Sequence, residues 1–366
     1  MKRTALTLTI ILALFVLILF RVQPAKSIYK TIVVPDDYLQ IQEAINDANE
    51  GDTIFVKKGY YVENPVINKT ISLIGEDRDT TVIDVTAGLK VEINNVIVTG
   101  LTIFDGWIGI EVVSNCCNII GNKVTDSDSG VVLIDGENNI ISGNIFESIE
   151  PGGAIVLWYS DNNLITKNYI SSCSEGIQLR SGSSNNMVKE NIVTNCQYVA
   201  VRLLGDYSPP RWYYPTSNTI MRNNILNSQY GITIYASNSN LICENNFINN
   251  TYQFSANEEY FIIWGGSVSV NTIERNFWID YSGTDANSNG IGDTPFVLDE
   301  NNMDQYPMMK PVAIPVVPET TPTPETTPTP SHEPQQTEQD MTNGAIIAVT
   351  LTAIFLGLLA YFIKNK

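Results

Sequence analysis

Asparagine recurs along this chain with a period that leaves few folds open. Asn-x-aliphatic steps begin at Asn122, Asn144, Asn168, Asn191, Asn224, Asn246 and Asn276, separated by 22, 24, 23, 33, 22 and 30 residues. A second Asn precedes each by about five residues, at Asn118, Asn139, Asn163, Asn186, Asn218, Asn240 and Asn271. Short segments such as Gly130-Val131-Val132-Leu133 and Gly176-Ile177-Gln178-Leu179 recur between them, and their alternating apolar residues carry the two-residue period of a half-buried strand. Asn disfavours helix and strand interiors and favours turns, so 38 of them in 366 residues mark a chain that turns often and regularly. Helical repeats need longer runs without Gly and Asn, and a leucine-rich repeat needs a Leu framework that is absent. What fits is an all-β coil in which equivalent residues stack and each turn hydrogen-bonds to the next. About nine turns are expected. Both ends of such a coil expose core and unpaired backbone, so caps are expected too. At the front, Pro35-Asp36-Asp37 followed by Ile41, Ala44, Ile45 and Ala48 predicts an amphipathic capping helix over 36–50. At the rear, 276–311 is expected to close the last turn.

The ends of the chain read differently. Met1-Lys2-Arg3 and the apolar run Ala5–Phe20 resemble a secretory signal peptide over 1–27, with an uncleaved signal anchor as the alternative. Gly344–Ile363 is 20 residues without a charge and precedes Lys364-Asn365-Lys366, which predicts a transmembrane helix with a cytoplasmic tail, 364–366. Between body and anchor, residues 312–343 contain Thr-Pro-Thr-Pro twice and predict an extended stalk. The expected organisation is a body over 28–311 held outside a membrane, at the cell surface, as a single-pass protein.

Charge narrows the partners. The chain carries −18 overall, and the part between the basic ends carries −24, so a nucleic-acid partner is excluded on electrostatic grounds. The single histidine, His332, lies in the stalk, which leaves the body without a histidine triad or a histidine-rich metal site. Five cysteines without a Cys-x-x-Cys spacing argue against zinc, and Cys173 and Cys196, one turn apart, are expected as an apolar sulfur ladder, with a disulfide, for which parallel stacking gives poor geometry, as the alternative.

The segments Ile32-Val33-Val34-Pro35-Asp36-Asp37-Tyr38, Ile41–Ile45 and Gly51–Val56 resemble the opening of pectin-lyase-fold proteins. The repeats resemble right-handed parallel β-helix repeats. Asn276–Tyr281, Asp285–Asp293 and Asp304-Gln305-Tyr306-Pro307 resemble the close of NosD-type β-helix proteins. The resemblance covers about residues 30–311. It implies a right-handed parallel β-helix and, with the anchor and stalk, an archaeal cell-surface protein. NosD-type proteins serve copper-site assembly in a reductase, and a body without His and with few Met supports that role poorly. The catalytic groups of the fold's polygalacturonase-like and epimerase-like members need a His that the body lacks, and no catalytic residue is assigned. The expected function is glycan binding or a structural role toward envelope components, with a polysaccharide-active enzyme of the lyase kind and a NosD-type accessory protein as alternatives.

Two sites are expected. Aligning the repeats places Trp158, Arg180, Arg202 and Tyr235 on one outward face, beside an insertion carrying Arg211, Trp212 and Tyr213. Aromatic rings stack on sugar faces, and guanidinium groups hold carboxylates or hydroxyls. The alternative is an insertion that only packs on the rod. The second site is a structural calcium loop with oxygen donors at Asp285, Asn287, Asn289, the Ile291 carbonyl and Asp293, and Gly290 at the sharp turn. Phe296 stands where a bidentate Glu would complete an EF-hand-like set, so Asp280, Asp299 or Asp304 is expected to fold back. The alternative is an Asn/Gly turn held by its own side chains.

Overall fold

The computed structural model describes residues 29–208, 211–256 and 270–314. The expected signal peptide and transmembrane segment, and the stalk from residue 315 on, lie outside the described residues. So does the second of two contact units, 322–366. Among the described residues no helix is long and apolar enough to cross a membrane.

The body is a parallel β-solenoid of about ten turns, one more than the repeat count suggests. Among the described residues sheet 1 has eleven strands, from Thr31–Val34 to Thr272–Glu274; sheet 2 has ten, from Gly59–Val62 to Phe277–Trp278; sheet 3 has nine, from Val66–Ile67 to Tyr252–Ser255. Each turn visits the sheets in that order, and each strand pairs in parallel with its equivalents on the turns before and after, as Ile119 does with Val98 and Ile141. Most strands of sheets 1 and 2 have three residues and point one side chain inward, as with Val98, Ile119, Ile141, Ile165 and Val188. The mid-rod strands of sheet 3 have six and point two inward, as with Ile155 and Leu157 over Ile177 and Leu179. These columns fill the rod with close-packed aliphatic carbon.

The corners explain the asparagines. Between sheets 1 and 2 a residue in the left-handed conformation precedes a buried Asn: Gly121-Asn122, Gly143-Asn144, Lys167-Asn168, Glu190-Asn191, Arg222-Asn223, Glu244-Asn245, Arg275-Asn276. From Asn144 on, each Asn Oδ1 accepts the backbone N–H and the side-chain Nδ2 of the Asn one turn earlier, as Asn191 does from Asn168 at 2.9 and 3.0 Å, while Asn122 accepts the N–H of Leu101. Each Nδ2 also donates to a carbonyl of sheet 1 one turn back, as Asn191 does to Ile165 at 3.0 Å. Corner amides that no strand could pair are satisfied in this way. A second ladder, Asn139–Asn163–Asn186–Asn218–Asn240–Asn271, turns sheet 3 into sheet 1. Three expected members are corrected. In the doublets Asn223-Asn224 and Asn245-Asn246 the first residue joins the ladder and the second begins a sheet 2 strand, because only the first follows a left-handed residue. The N–H group at the start of the second ladder, on Asn139 Oδ1, belongs to Cys117; Asn118 is already in a strand.

The front cap is shorter than predicted. Helix α1 spans Ile41–Asp47, not 36–50. Asp37 takes the Val33 N–H into a turn at 2.8 Å, so it cannot start the helix. The Glu63 carboxylate, one turn further along, caps α1 by accepting the N–H groups of Ile41 and Gln42, both at 2.9 Å. Ile41, Ala44 and Ile45 cover the first turn as expected. At the rear, Trp278 stacks on Phe247 with centroids 4.2 Å apart, and a short hairpin, Phe296–Val297 with Met303–Asp304, lies beyond it.

All five cysteines are free, and Cys117, Cys173, Cys196 and Cys243 are buried. Cys173 and Cys196 occupy the corner between sheets 2 and 3 on adjacent turns, in line with Ser228 and Asn250. Burial pushes the Cys173 thiol up to about 12 and the Cys243 thiol to about 11. Thiolate is the reactive form, so iodoacetamide at pH 8 is expected to label only exposed Cys116 in the native protein and all five in denaturant, counted by mass spectrometry.

Candidate functional site

Outward positions of sheet 3 form columns along the rod, set by the register. Val132, Val156, Gln178, Arg202 and Thr233 make one; Ile134, Trp158, Arg180, Leu204 and Tyr235 make the next; Glu175, Val199, Tyr230 and Tyr252 make a third at the strand starts. Aliphatic residues fill the early turns, and the polar and aromatic groups gather from Trp158 onward. The Arg180 guanidinium carbon lies 4.2 Å over the Trp158 ring, and its Nη1 donates to Gln178 Oε1 at 3.3 Å. Arg202 Nη2 donates to Glu175 Oε1 at 2.8 Å, an ion pair whose side chains are only 23% and 19% exposed. Glu175 Oε2, Arg180 Nε, Arg202 Nε and Thr233 Oγ1 are buried and find no hydrogen-bond partner within the protein. Burial pushes the Glu175 carboxyl up, and Arg202 and Arg180 pull it part of the way back; burial also lowers the Arg180 guanidinium.

A cleft of about 330 Å³ opens over this cluster, lined by Glu175, Tyr198, Arg202, Gln229, Tyr230 and Tyr235 among others. Tyr230 stacks on Tyr252 with centroids 5.0 Å apart, and Tyr198 is half exposed. The cleft combines flat aromatic faces, the Arg202 cation and the Glu175 acid, and the Arg180–Trp158 stack stands beside it on the same face. That set can stack on a ring and hold charged or hydroxylated substituents.

Of the seven residues expected here, Trp158, Arg180, Arg202 and Tyr235 stand on four consecutive turns of one face. The insertion is an antiparallel hairpin, Asp206–Ser208 with Arg211–Tyr213. Its Tyr213 ring meets Tyr159 edge-on at 5.4 Å and its backbone approaches Gly182, which ties the hairpin to the two preceding turns. Tyr213 is therefore held against the rod, and Arg211 is exposed. The Trp212 side chain lies outside the described part. Sequence reasoning missed Glu175, Tyr198, Gln229 and Tyr230. The register places Glu175 one turn before Arg202 at the start of an aligned strand, and its burial there is what singles it out.

The calcium loop is knitted inward. Asp285 accepts the N–H groups of Asn289 and Gly290 at 3.0 and 2.8 Å, Asn287 that of Asn289, Asn289 that of Ile291, and Asp293 that of Ala286. Gly290 takes a φ of +84°, as the motif requires. Two expected stand-ins for position 12 are held elsewhere: Asp299 in its own turn with Asn301 and Asn302, and Asp304 at the end of the first Asn ladder. Among the described residues no group of three or more His, Cys, Asp or Glu is arranged to hold a metal.

A rod of stacked parallel turns with a cleft on one sheet defines a β-solenoid. This chain belongs to the right-handed β-helix family, whose model matches residues 87–278. The match is to the β-helix family as a whole and not to NosD-type proteins in particular. The chain is 25% identical over 238 residues to a cell surface glycoprotein of Methanothermus fervidus, covering 46% of this chain and 40% of that protein. It therefore spans less than half the length of that curated relative. The solved structure of pectate lyase Pel9A superposes with a TM-score of 0.50 at 11% identity, over 71% of this chain and 82% of that one. An alginate lyase from Paenibacillus sp. superposes with a TM-score of 0.46 at 14% identity, over 68% and 97%. The likeness to pectate lyase Pel9A is one of fold.

Proposed function

We propose that this protein is a β-helix of the cell surface that binds glycan in the cleft on sheet 3, with its 344–363 segment as membrane anchor. The observation that carries the reading is the cluster itself: an Arg202–Glu175 pair and Tyr230 lining one cleft, with the Arg180–Trp158 stack beside it on the same face. The relative named a cell surface glycoprotein supports the location. Trp158→Ala removes the platform under Arg180 and is expected to weaken glycan binding about tenfold, the scale of one lost aromatic contact. Arg180→Ala is expected to do the same. Both should melt near wild type, because both side chains point outward. A glycan array that reads alike for wild type and both variants overturns the proposal.

A structural calcium at Asp285–Asp293 is a separate proposal. It is supported by the alternation of donors around Gly290 and by the second lone pair that each donor oxygen keeps. Millimolar calcium is expected to raise the melting temperature of wild type by a few degrees, and not that of the Asp285→Ala/Asp293→Ala double variant. An equal rise in both, or none in wild type, assigns the loop to its own side-chain turns.

A further inference from the structure

The cleft contains a contradiction that a ligand would resolve. Arg180 and Arg202 stand on adjacent turns; Glu175 and Asp206 both act on Arg180, and Glu175 makes its ion pair with Arg202, the guanidinium that lines the cleft. Glu175 uses one oxygen on Arg202 and leaves the other buried and without a partner, while Nε of each arginine is also without one. Buried polar atoms in a folded protein are almost always paired. Three such atoms on cleft-lining residues, Glu175 Oε2, Arg202 Nε and Thr233 Oγ1, describe a site whose hydrogen-bonding capacity is not filled by the chain. The planar guanidinium fork matches a carboxylate through two parallel N–H bonds, and the Arg202–Glu175 pair makes only one.

We propose that the cleft takes a carboxylate-bearing sugar unit whose carboxylate exchanges with that of Glu175 on Arg202. This rests on the glycan-binding reading above and names the ligand class for that same cleft. Glu175 is then an internal competitor. It keeps Arg202 partnered in the free protein and gives it up when an anionic sugar arrives with its ring against Tyr198 or Tyr230.

The exchange makes binding depend on pH with a defined sign. The groups facing Glu175 are Arg180 on its own strand, Arg202 on the next strand, Cys196 and Tyr198 in the corner between, and Tyr230 across the cleft. The Cys196 thiol is pushed up by burial and is neutral throughout. Burial raises the Glu175 carboxyl above its ordinary value, so it takes up a proton at a pH where the sugar carboxylate, at roughly 3.5, is still ionised. A protonated Glu175 no longer competes for Arg202. Binding of the anionic sugar therefore strengthens as pH falls through the raised Glu175 value, takes up a proton, and weakens again once the sugar itself is protonated.

The test uses titration calorimetry on the full body with three probes: a galacturonate hexamer, its methyl ester and a sulfated hexasaccharide. Wild type should bind the galacturonate hexamer more tightly at pH 4.5 than at pH 7, and the ester with no pH dependence. Glu175→Gln should tighten binding of the galacturonate hexamer at pH 7 by roughly tenfold and flatten its pH dependence. The neutral pair Glu175→Gln/Arg202→Gln, which buries no unpaired charge, should lose the acid-specific gain and keep ester binding. A sulfated probe that responds like the galacturonate would widen the class to anionic sugars while keeping the exchange. Equal affinity for acid and ester in all variants overturns the exchange and leaves the glycan site standing. No binding of any probe, together with the unchanged array described above, overturns both.

Discussion

Asp304→Ala is expected to lower the stability of the rod by about 4 kcal/mol. The first Asn ladder runs out at Asn276, and the next turn is missing. Asp304 returns from the terminal hairpin to stand where the next Asn would be. Its Oδ2 accepts the Asn276 N–H at 2.9 Å, the Asn276 Nδ2 at 3.2 Å and the Trp278 indole N–H at 2.8 Å; its Oδ1 accepts the N–H groups of Arg275 and Tyr306. Five donors converge on one fully buried carboxylate. Alanine leaves the Arg275 and Asn276 N–H groups and the indole unpaired, at about 1–3 kcal/mol for each buried orphan. The Trp278–Phe247 stack that plugs the rod rests on the same indole. Thermal melting followed by circular dichroism and tryptophan fluorescence should show a drop on the order of 10 °C. Asp304→Asn keeps one acceptor oxygen and turns an amide N–H toward other N–H groups, so it should fall between. An alanine variant that melts with wild type would show that the carboxylate is not the ladder's terminus.

Within the ladder the preference reverses, and Asn191→Asp should be worse than Asn191→Ala. Asn191 Oδ1 accepts from Asn168, while its Nδ2 donates to the carbonyls of Ile165 and Lys189 and to Asn223 Oδ1, at 3.0, 3.1 and 3.0 Å. Alanine costs about 2 kcal/mol through lost and orphaned hydrogen bonds. Aspartate keeps the shape and sets a buried oxygen against three others, at a cost of about 3–5 kcal/mol. A protonated carboxyl regains one donor, so the folded-state value of the introduced acid is raised. Its deficit should be smallest at low pH and grow as pH rises through that value. Denaturant titrations of both variants at pH 4 and pH 7 give the comparison. Equal stability of the two at pH 7 would mean that the amide donors at this corner are not needed.

The solenoid was legible because its corner chemistry is repeated. An amide that must both accept from one turn and donate to another cannot be replaced by another residue type, so Asn recurs at the period of a turn. Where two Asn stand together, as at Asn223-Asn224, spacing alone cannot say which one is buried; the preceding left-handed residue decides, and at Arg222 it is not a Gly that would have marked it. The start of α1 was misread for a related reason, because its capping group, Glu63, is supplied from the next turn. The Trp158–Arg180–Arg202–Tyr235 face followed from aligning strands. Glu175 did not stand out, since one acid among 39 carries no signal until burial beside two arginines singles it out. Tyr198 and Gln229 come from corners, which the alternation of strands does not rank.

The hairpin between Leu204 and Thr216 carries a consequence for variation. Asn163 and Asn186, 23 residues apart, join at 2.8 Å, and Asn186 and Asn218, 32 apart across the hairpin, join at 2.9 Å. The longer connection leaves the stacking of the turns untouched, as does the separation of 31 between Asn240 and Asn271. Length at this corner is thus uncoupled from the integrity of the scaffold, and the rod works as a display stand. Foreign segments grafted between Leu204 and Thr216 should be accommodated, and differences among related chains should collect there and leave the columns beneath unchanged.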